Sequence, residues 1–569
     1  MIGVSQDGPR CKASKVFGNM LLQLYAWGLV ASFAHSQDAI YWRNLAKDNI
    51  NRYLNRKPNT EKARNIVLMI GDGMGISTIS AARLLKGQMQ GKPGEETELN
   101  FEQFPNTALS KVYTTDYQVP DSAATMTAMV TGVKSKSRTI GVDSSAVYDE
   151  CHDLTNHTLS TILHWSQEAG KSTGFVTTSR VTHATPAALY AATTNRDWEN
   201  DHEIPNSPEG HCTDIASQLI YNASDIQVMM GGGARNFIPN SIPDPTTGKI
   251  DFKGQRYDRQ NLIKAWKEDK EKRNLTYKVV HNTEHLQGVD PENTDYLFGL
   301  FHKSHMSYEL DRDTSMAGEP SLAEMTRKAI QILDKNENGF FLMVEGARID
   351  HGHHAIKAKR ALTETISFER AVQTVLDMTN ETETLVIVTA DHSHTMTIAG
   401  YSERGNDILD VVKASNGSVE LAEDDMPYTT LSYANGPNNN FYSRRRNLSY
   451  FDTTDKDFKQ DVVVELPWET HSGEDVAVYS RGPMAHLLTG VKEQNVIAYV
   501  MAHAACVGDI GIPCETGRER PFSHYNNCDI NLDASNQNSN VASLHVPKNI
   551  LIAFAVLGYH ILHIFVIPV

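Results

Sequence analysis

The chain has 569 residues, a formal net charge of -16, 40% hydrophobic residues and 21% charged residues. That balance is globular rather than disordered, and the length admits one large α/β domain with insertions or a few smaller domains. The acidic excess speaks against a nucleic-acid-binding surface, which needs basic side chains for phosphates, and suits a protein that collects metal cations.

In chain order, Arg10, Lys12 and Lys15 precede an apolar run from Met20 to Ala34, with small residues at Ala34 and Ser36. This pattern predicts a secretory signal over residues 1–36, cleaved before Gln37; Met20 is an alternative start that would make residues 1–19 dispensable. Residues 37–56 place Ile40, Leu45, Ile50 and Leu54 at helical spacing and predict an N-terminal helical arm for packing or dimerisation. NIVLMIGDGMG (65–75) reads as a fully buried strand ending in a tight turn at Asp72. PDSAATMTA (120–128) is turn chemistry followed by good helix propensity. A serine at such a helix start, Ser122, is ordinarily an N-cap, and a nucleophile is the alternative.

LSTILHWSQEAG (159–170) predicts a helix, and GFVTTSR (174–180) a strand followed by His183 and Thr185. The helix 320–335 precedes FFLMVEGARIDHGHH (340–354), a strand and helix start carrying Glu345, Asp350, His351 and His354. The helix 359–378 precedes TLVIVTADHSH (384–394), a strand ending in Asp391, His392 and His394. Residues 400–465 lack long apolar runs and read as a surface insertion; the chain returns with WETHSGEDVAVYSRGP (468–483), carrying His471. Strands alternating with helices predict an α/β fold with a large, mostly parallel central sheet, whose site lies at the carboxyl ends of the strands.

A polar spacer over 521–549, with small residues from Asp533 to Ser543, leads into a charge-free tail, Ile550–Val569. This is the pattern of a GPI-attachment signal, with attachment within 533–540, and is preferred to a tail-anchored helix. Six cysteines suit a secreted protein. Cys151–Cys212 and Cys506–Cys514 are the expected pairs, Cys11 leaves with the signal and Cys528 is odd. Sequons at Asn156, Asn222, Asn274, Asn380, Asn416 and Asn447 predict surface glycosylation.

Carboxylates and imidazoles ending several neighbouring strands converge on one place, where they would repel one another without bound cations. Asp350 and His354 are one helical turn apart and can share one ion. Mixed His and Asp ligands without cysteine favour zinc, whereas Asp72, Thr185 and Glu345 form an all-oxygen set that favours magnesium.

The segments IGDGMG (70–75), PDSAATMTA (120–128), TTSRVTHATP (177–186), NRDW (195–198), VEGARIDHGHH (344–354), TADHSH (389–394) and THSGEDVAVYSRGP (470–483) resemble the animal branch of the alkaline phosphatase family. They fall in the family's order, and the likeness spans nearly everything from 37 to about 520. The resemblance implies a catalytic domain over 57–520, with helices on both faces of the sheet and a small crown-like insertion at about 400–465. It implies a GPI-anchored, glycosylated, usually homodimeric phosphomonoesterase on the extracellular face of the plasma membrane, with two zinc ions and one magnesium per subunit. One zinc would be held by Asp350, His354 and His471, and the second by Asp72, Asp391 and His392 with Ser122. Magnesium would be held by Asp72, Thr185 and Glu345. Ser122 would form a phosphoserine, Arg196 would grip the phosphate and Asp121 would position Arg196. His183 and His351 match histidines beside the family's site.

Three other readings are weaker. A sulfatase needs a C/S-x-P-x-R setting, where this chain has DSAAT; phosphodiesterase relatives generally use threonine and lack the magnesium set. A non-catalytic cell-surface binding protein on the same fold would show lost ligands, and none is missing. A peripheral calcium site is not expected, because Thr246 and His302 stand where acids are expected, with Glu319 the one acid kept.

Overall fold

The computed structural model describes residues 38–205, 212–243, 245, 254–437, 445–508 and 511. The signal segment, Thr246, Cys514, Cys528, the spacer and the C-terminal tail therefore lie outside the described residues. The centre is a ten-stranded sheet. Its strands in chain order are β1 (Asn65–Gly71), β2 (Asn106–Lys111), β3 (Ser172–Arg180), β4 (Val228–Gly232), β5 (Tyr277–Val280), β6 (Tyr296–Leu300), β7 (Phe340–Gly346), β8 (Thr384–Thr389), β9 (Val476–Arg481) and β10 (Gly490–Glu493). In space they run β10-β2-β9-β8-β1-β7-β3-β4-β6-β5. All neighbours pair parallel except β9, which is antiparallel to both β2 and β8.

The continuous apolar run of β1 is explained by burial on both sides. Ile66, Leu68 and Ile70 enter one core with Met126, Met129 and Val130 of α3 (Ser122–Thr131). Val67 and Met69 enter the other with Ile79 and Leu85 of α2 (Ile76–Met89), Met325 and Leu333 of α4 (Leu322–Leu333), and Phe368 and Val372 of α6 (Ala358–Met378). Helices thus cover both faces of the sheet, and alternate residues of one strand serve two cores.

The strands β8, β1, β7 and β3 are adjacent and parallel, so their carboxyl ends meet along one edge. Asp72 follows β1, Asp391 and His392 follow β8, Glu345 ends β7, and His183 and Thr185 follow β3. The short helix α5 (Arg348–His354) leaves β7 directly and carries Asp350, His351 and His354. His471 arrives by another route. It pairs with His394 in a two-stranded antiparallel ladder, Ser393–His394 with His471–Ser472. Between those strands the chain builds a three-stranded sheet from Met396–Ile398, Leu431–Gly436 and Val462–Glu465.

Helix α1 (Ala39–Leu54) is capped by the Asp38 carboxylate, which accepts from the amides of Ile40 and Tyr41, and none of its residues is buried. Ile40, Leu45, Ile50 and Leu54 are exposed. Cys151 and Cys212 form a disulfide with Cα atoms 5.6 Å apart. Cys506 is also disulfide-bonded, but Cys514 lies outside the described residues.

Phe368 is fully buried and lies over the end of β7: a Cβ placed on Gly346 would sit 3.0 Å from the Phe368 Cβ. Phe368→Ala is expected to cost about 3–5 kcal/mol by opening a cavity beneath the strand that delivers Glu345. Denaturant unfolding measures this, and a loss under about 1 kcal/mol would show that the layer collapses freely.

Candidate active site

The turn after β1 needs glycine. Gly73 has φ +70°, and a Cβ there would lie 2.5 Å from the His394 ring. Its amide donates to Asp391 Oδ1 (3.0 Å), as does the amide of His392 (2.9 Å). Two backbone donors occupy one Asp391 oxygen and leave Oδ2 buried without a partner. Both Asp72 oxygens, Glu345 Oε1, Thr185 Oγ1 and His392 Nδ1 are also buried and unpartnered. Orphaned acceptors of this kind are rare, because each carries a desolvation cost of about 1–3 kcal/mol. Their clustering at the ends of four adjacent strands, β8, β1, β7 and β3, is the signature of a cation centre.

The carboxylates show the same deficit. Asp72 is pushed well above the ordinary range by burial and then by Asp391, Asp350 and Glu345. Glu345 is pushed up to about 7 by burial. Burial also raises Asp391.

Imidazole tautomers locate a second centre. His354 Nδ1 lies 2.6 Å from the Glu469 carbonyl, and His471 Nδ1 lies 2.8 Å from the Pro120 carbonyl. A carbonyl only accepts, so both rings carry their proton on Nδ1 and present lone pairs on Nε2. These two Nε2 atoms are 3.1 Å apart, and each is 3.3 Å from Asp350 Oδ1. Three acceptors facing one another repel; a tetrahedral zinc with bonds of about 2.0–2.1 Å spaces its ligands at about this separation. His394 is different. Its Nε2 donates to Asp350 Oδ1 (2.7 Å) and its Nδ1 to Glu469 Oε2 (2.6 Å), so both nitrogens are donors. Against the pull of burial, Glu469 and Asp350 raise it to about 10. It orients Asp350 and offers no lone pair to a cation.

Ser122 is not the N-cap of α3. Asp121 takes that position in extended backbone, accepting from the amides of Ala123 and Ala124, and Ser122 is the first helical residue. The cap belongs one residue earlier because only the Asp121 carboxylate reaches back over the free amides. Released from capping, Ser122 Oγ lies 3.2 Å from His392 Nε2. His392 Nε2 is in turn 3.2 Å from Asp391 Oδ2 and 3.7 Å from Asp72 Oδ1. This is no Ser-His-Asp relay, because His392 Nδ1 has no carboxylate to orient it.

Asp121 also reaches Arg196, whose Nη1 donates to Oδ2 at 2.8 Å. Burial would raise the Asp121 carboxyl, but Arg196 and the Arg138 amide hold it below the ordinary value. Arg196 Nη2 lies 3.3 Å from His183 Nε2. His183 and His351 pack with ring centroids 5.9 Å apart beside this arginine. Three residues in contact with the site were given no role by sequence reasoning: His394, Glu469 and His305. Glu469 stands in WETH, two residues before His471, and that proximity was its only signal. In the region of the doubted calcium site, Glu319 accepts from the Ser307 amide and hydroxyl, at 2.8 and 2.9 Å. His302 uses Nδ1 to accept from the Ser304 amide.

A family model described as alkaline phosphatase matches residues 63–507. The chain is 45% identical to the human tissue-nonspecific isozyme of alkaline phosphatase over 478 residues, 83% of this chain and 89% of that protein. It is 43% identical to an alkaline phosphatase of Gadus morhua over 472 residues, 82% of this chain and 97% of the relative. Among solved structures, Thermus thermophilus alkaline phosphatase superposes with a TM-score of 0.55 at 21% identity, covering 79% of this chain and 93% of that one. The alkaline phosphatase of the Antarctic bacterium TAB5 gives 0.53 at 23% identity, covering 79% and 100%. These likenesses at low identity concern the fold.

Glu345 yields a test with a definite sign. Its folded pKa, about 7, lies above the unfolded 4.5, so in metal-depleted protein the carboxyl destabilises increasingly as pH rises through that window. Glu345→Gln should therefore gain stability relative to wild type between about pH 4.5 and about pH 7 when metal is removed, and lose that advantage when divalent cations are restored. Thermal melts of both proteins across pH measure the difference; the same offset at every pH would refute the assignment of a strained carboxylate.

Proposed function

This chain belongs to the alkaline phosphatase family and is a phosphomonoesterase hydrolase, and from that premise we propose that its reaction runs through a phosphoserine on Ser122. The observation that carries the reading is the meeting of the His354 and His471 lone pairs 3.1 Å apart with Ser122 close by on His392. Asp350, His354 and His471 would hold one zinc. Asp72, Asp391 and His392, with Ser122, would hold the second, and Asp72, Thr185 and Glu345 the magnesium. The donor sets fit: nitrogen and carboxylate for zinc, oxygen alone for magnesium. When bound, these cations lower the pKa of serine and water oxygens and neutralise charge on the phosphoryl and leaving oxygens.

The chain's own residues supply the rest. Ser122 Oγ attacks phosphorus, forming an O–P bond as the ester O–P bond breaks and the alcohol leaves with a proton. Water then cleaves the serine O–P bond, and inorganic phosphate departs. Ser122 stands at the N-terminal end of α3, where the helix dipole favours the phosphoryl anion. Arg196 stays cationic, its pKa raised by Asp121 despite burial. Asp121 anchors Nη1 and fixes the plane of the guanidinium, so its remaining donors meet phosphoryl oxygens in a fork that lysine could not reproduce. Recognition falls on the phosphoryl group, so the alcohol portion is loosely specified.

The same reading places the enzyme on the outer face of the plasma membrane through the C-terminal attachment signal, after removal of the N-terminal one. Five sequon asparagines, Asn156, Asn222, Asn274, Asn380 and Asn416, are exposed, and Asn447 is half-buried, which supports glycosylation. The exposed apolar side chains of α1 support a homodimer arm.

Ser122→Ala should abolish the phosphoenzyme trapped at acidic pH and lower kcat by roughly a thousandfold or more; wild-type turnover by this variant would remove Ser122 from the reaction. A phosphatidylinositol-specific lipase should release activity from membranes, and complete resistance would favour a retained apolar helix.

A further inference from the structure

His183, His305 and His351 form a cluster beside the phosphate grip, and by composition it reads as another metal site. Nitrogens from the three rings lie within 4.8 Å of one another. Ring centroids are 5.1 Å apart for His183 and His305, 4.2 Å for His305 and His351, and 5.9 Å for His183 and His351. Hydrogen-bond direction says otherwise. Each ring faces an arginine: His305 Nε2 meets Arg180 Nη1, His183 Nε2 is 3.3 Å from Arg196 Nη2, and His351 Nδ1 is 3.2 Å from Arg348 Nη1. A guanidinium can only donate. The facing nitrogen of each imidazole must therefore be the acceptor, and the proton sits on the other nitrogen. The cluster holds three N–H donors whose lone pairs are already used, the reverse of what the His354–His471 pair offers.

Two of those donors, His183 Nδ1 and His305 Nδ1, are buried without a partner, as is Arg348 Nε. Charge points the same way. Arg180 is paired with Glu199 and Arg196 with Asp121, whereas no carboxylate among the described residues makes an ion pair with Arg348, whose guanidinium lies 3.8 Å over the Tyr308 ring. Unsatisfied donors beside an arginine that no carboxylate among the described residues reaches at ion-pair distance, though the buried Glu364 lies in its field, favour an anion. Rings with centroids 4.2 Å apart are in contact, which leaves no room among them for a tetrahedral oxyanion.

We propose that His183, His305 and His351, backed by Arg180, Arg196 and Arg348, form a binding site for a single monovalent anion of the halide class. Through Arg196 and His183 this site adjoins the phosphate grip, yet His305 belongs to it alone.

The test uses the full-length, zinc- and magnesium-loaded enzyme. Crystals grown with bromide as the sole halide should show one anomalous bromide peak within hydrogen-bond distance of the His305 ring. His305→Gln, which keeps an N–H, should retain the peak, and His305→Phe should lose it. In solution, chloride NMR line broadening should saturate in wild type and His305→Gln, with half-saturation raised at least about tenfold in His305→Phe. The bromide peak in wild type and the glutamine variant decides the matter even if the phenylalanine variant fails to fold, because it places the anion by position. Absence of bromide from the wild-type cluster, a transition-metal peak among the three rings, or phosphate in place of halide would overturn the proposal.

Discussion

Two imidazole lone pairs held face to face, 3.1 Å apart, are the constraint on which the rest of the site depends. Each ring is locked by a backbone carbonyl behind it, so neither can turn away or take its proton forward. Asp350 joins them and is itself held by His394, whose other nitrogen is gripped by Glu469. Glu469 serves twice: its carbonyl orients His354 and its carboxylate orients His394. A protein that invests this much orientation in mutual repulsion has been shaped around a cation.

Asp121 shows a related economy of position. One carboxylate caps α3, accepts from Arg138 and pairs with Arg196. The helix that presents Ser122 and the arginine opposite it are thereby registered through a single side chain. All ten residues of α3 are buried, so the serine stands on an element that packing fixes along its whole length.

Much of this was legible in the sequence, and the reasons are specific. NIVLMIG and TLVIVT announce themselves because a strand covered on both faces must be apolar throughout. Acidic and imidazole residues immediately after such runs are conspicuous because strand ends in a parallel sheet share one edge. The cap position at Asp121 rather than Ser122 was not legible, since both residue types cap well and backbone direction decides. The antiparallel β9 was hidden because VAVYSR reads alike in either direction. His305 and the donor polarity of the three-histidine cluster were hidden more deeply. Composition marks a histidine as a ligand, but which nitrogen carries the proton depends on which arginine faces which ring nitrogen, and that is set by the fold.

The ladder between Ser393–His394 and His471–Ser472 bears on how the molecule is made. His394 leaves β8 at once, but His471 returns only after the chain has traversed the whole excursion that carries the three-stranded sheet. Bringing the facing imidazoles of His354 and His471 together therefore requires closing a long loop, which carries an entropic cost that local contacts do not. A cation held between His354 and His471 would tie the far end of that excursion to the helix that leaves β7.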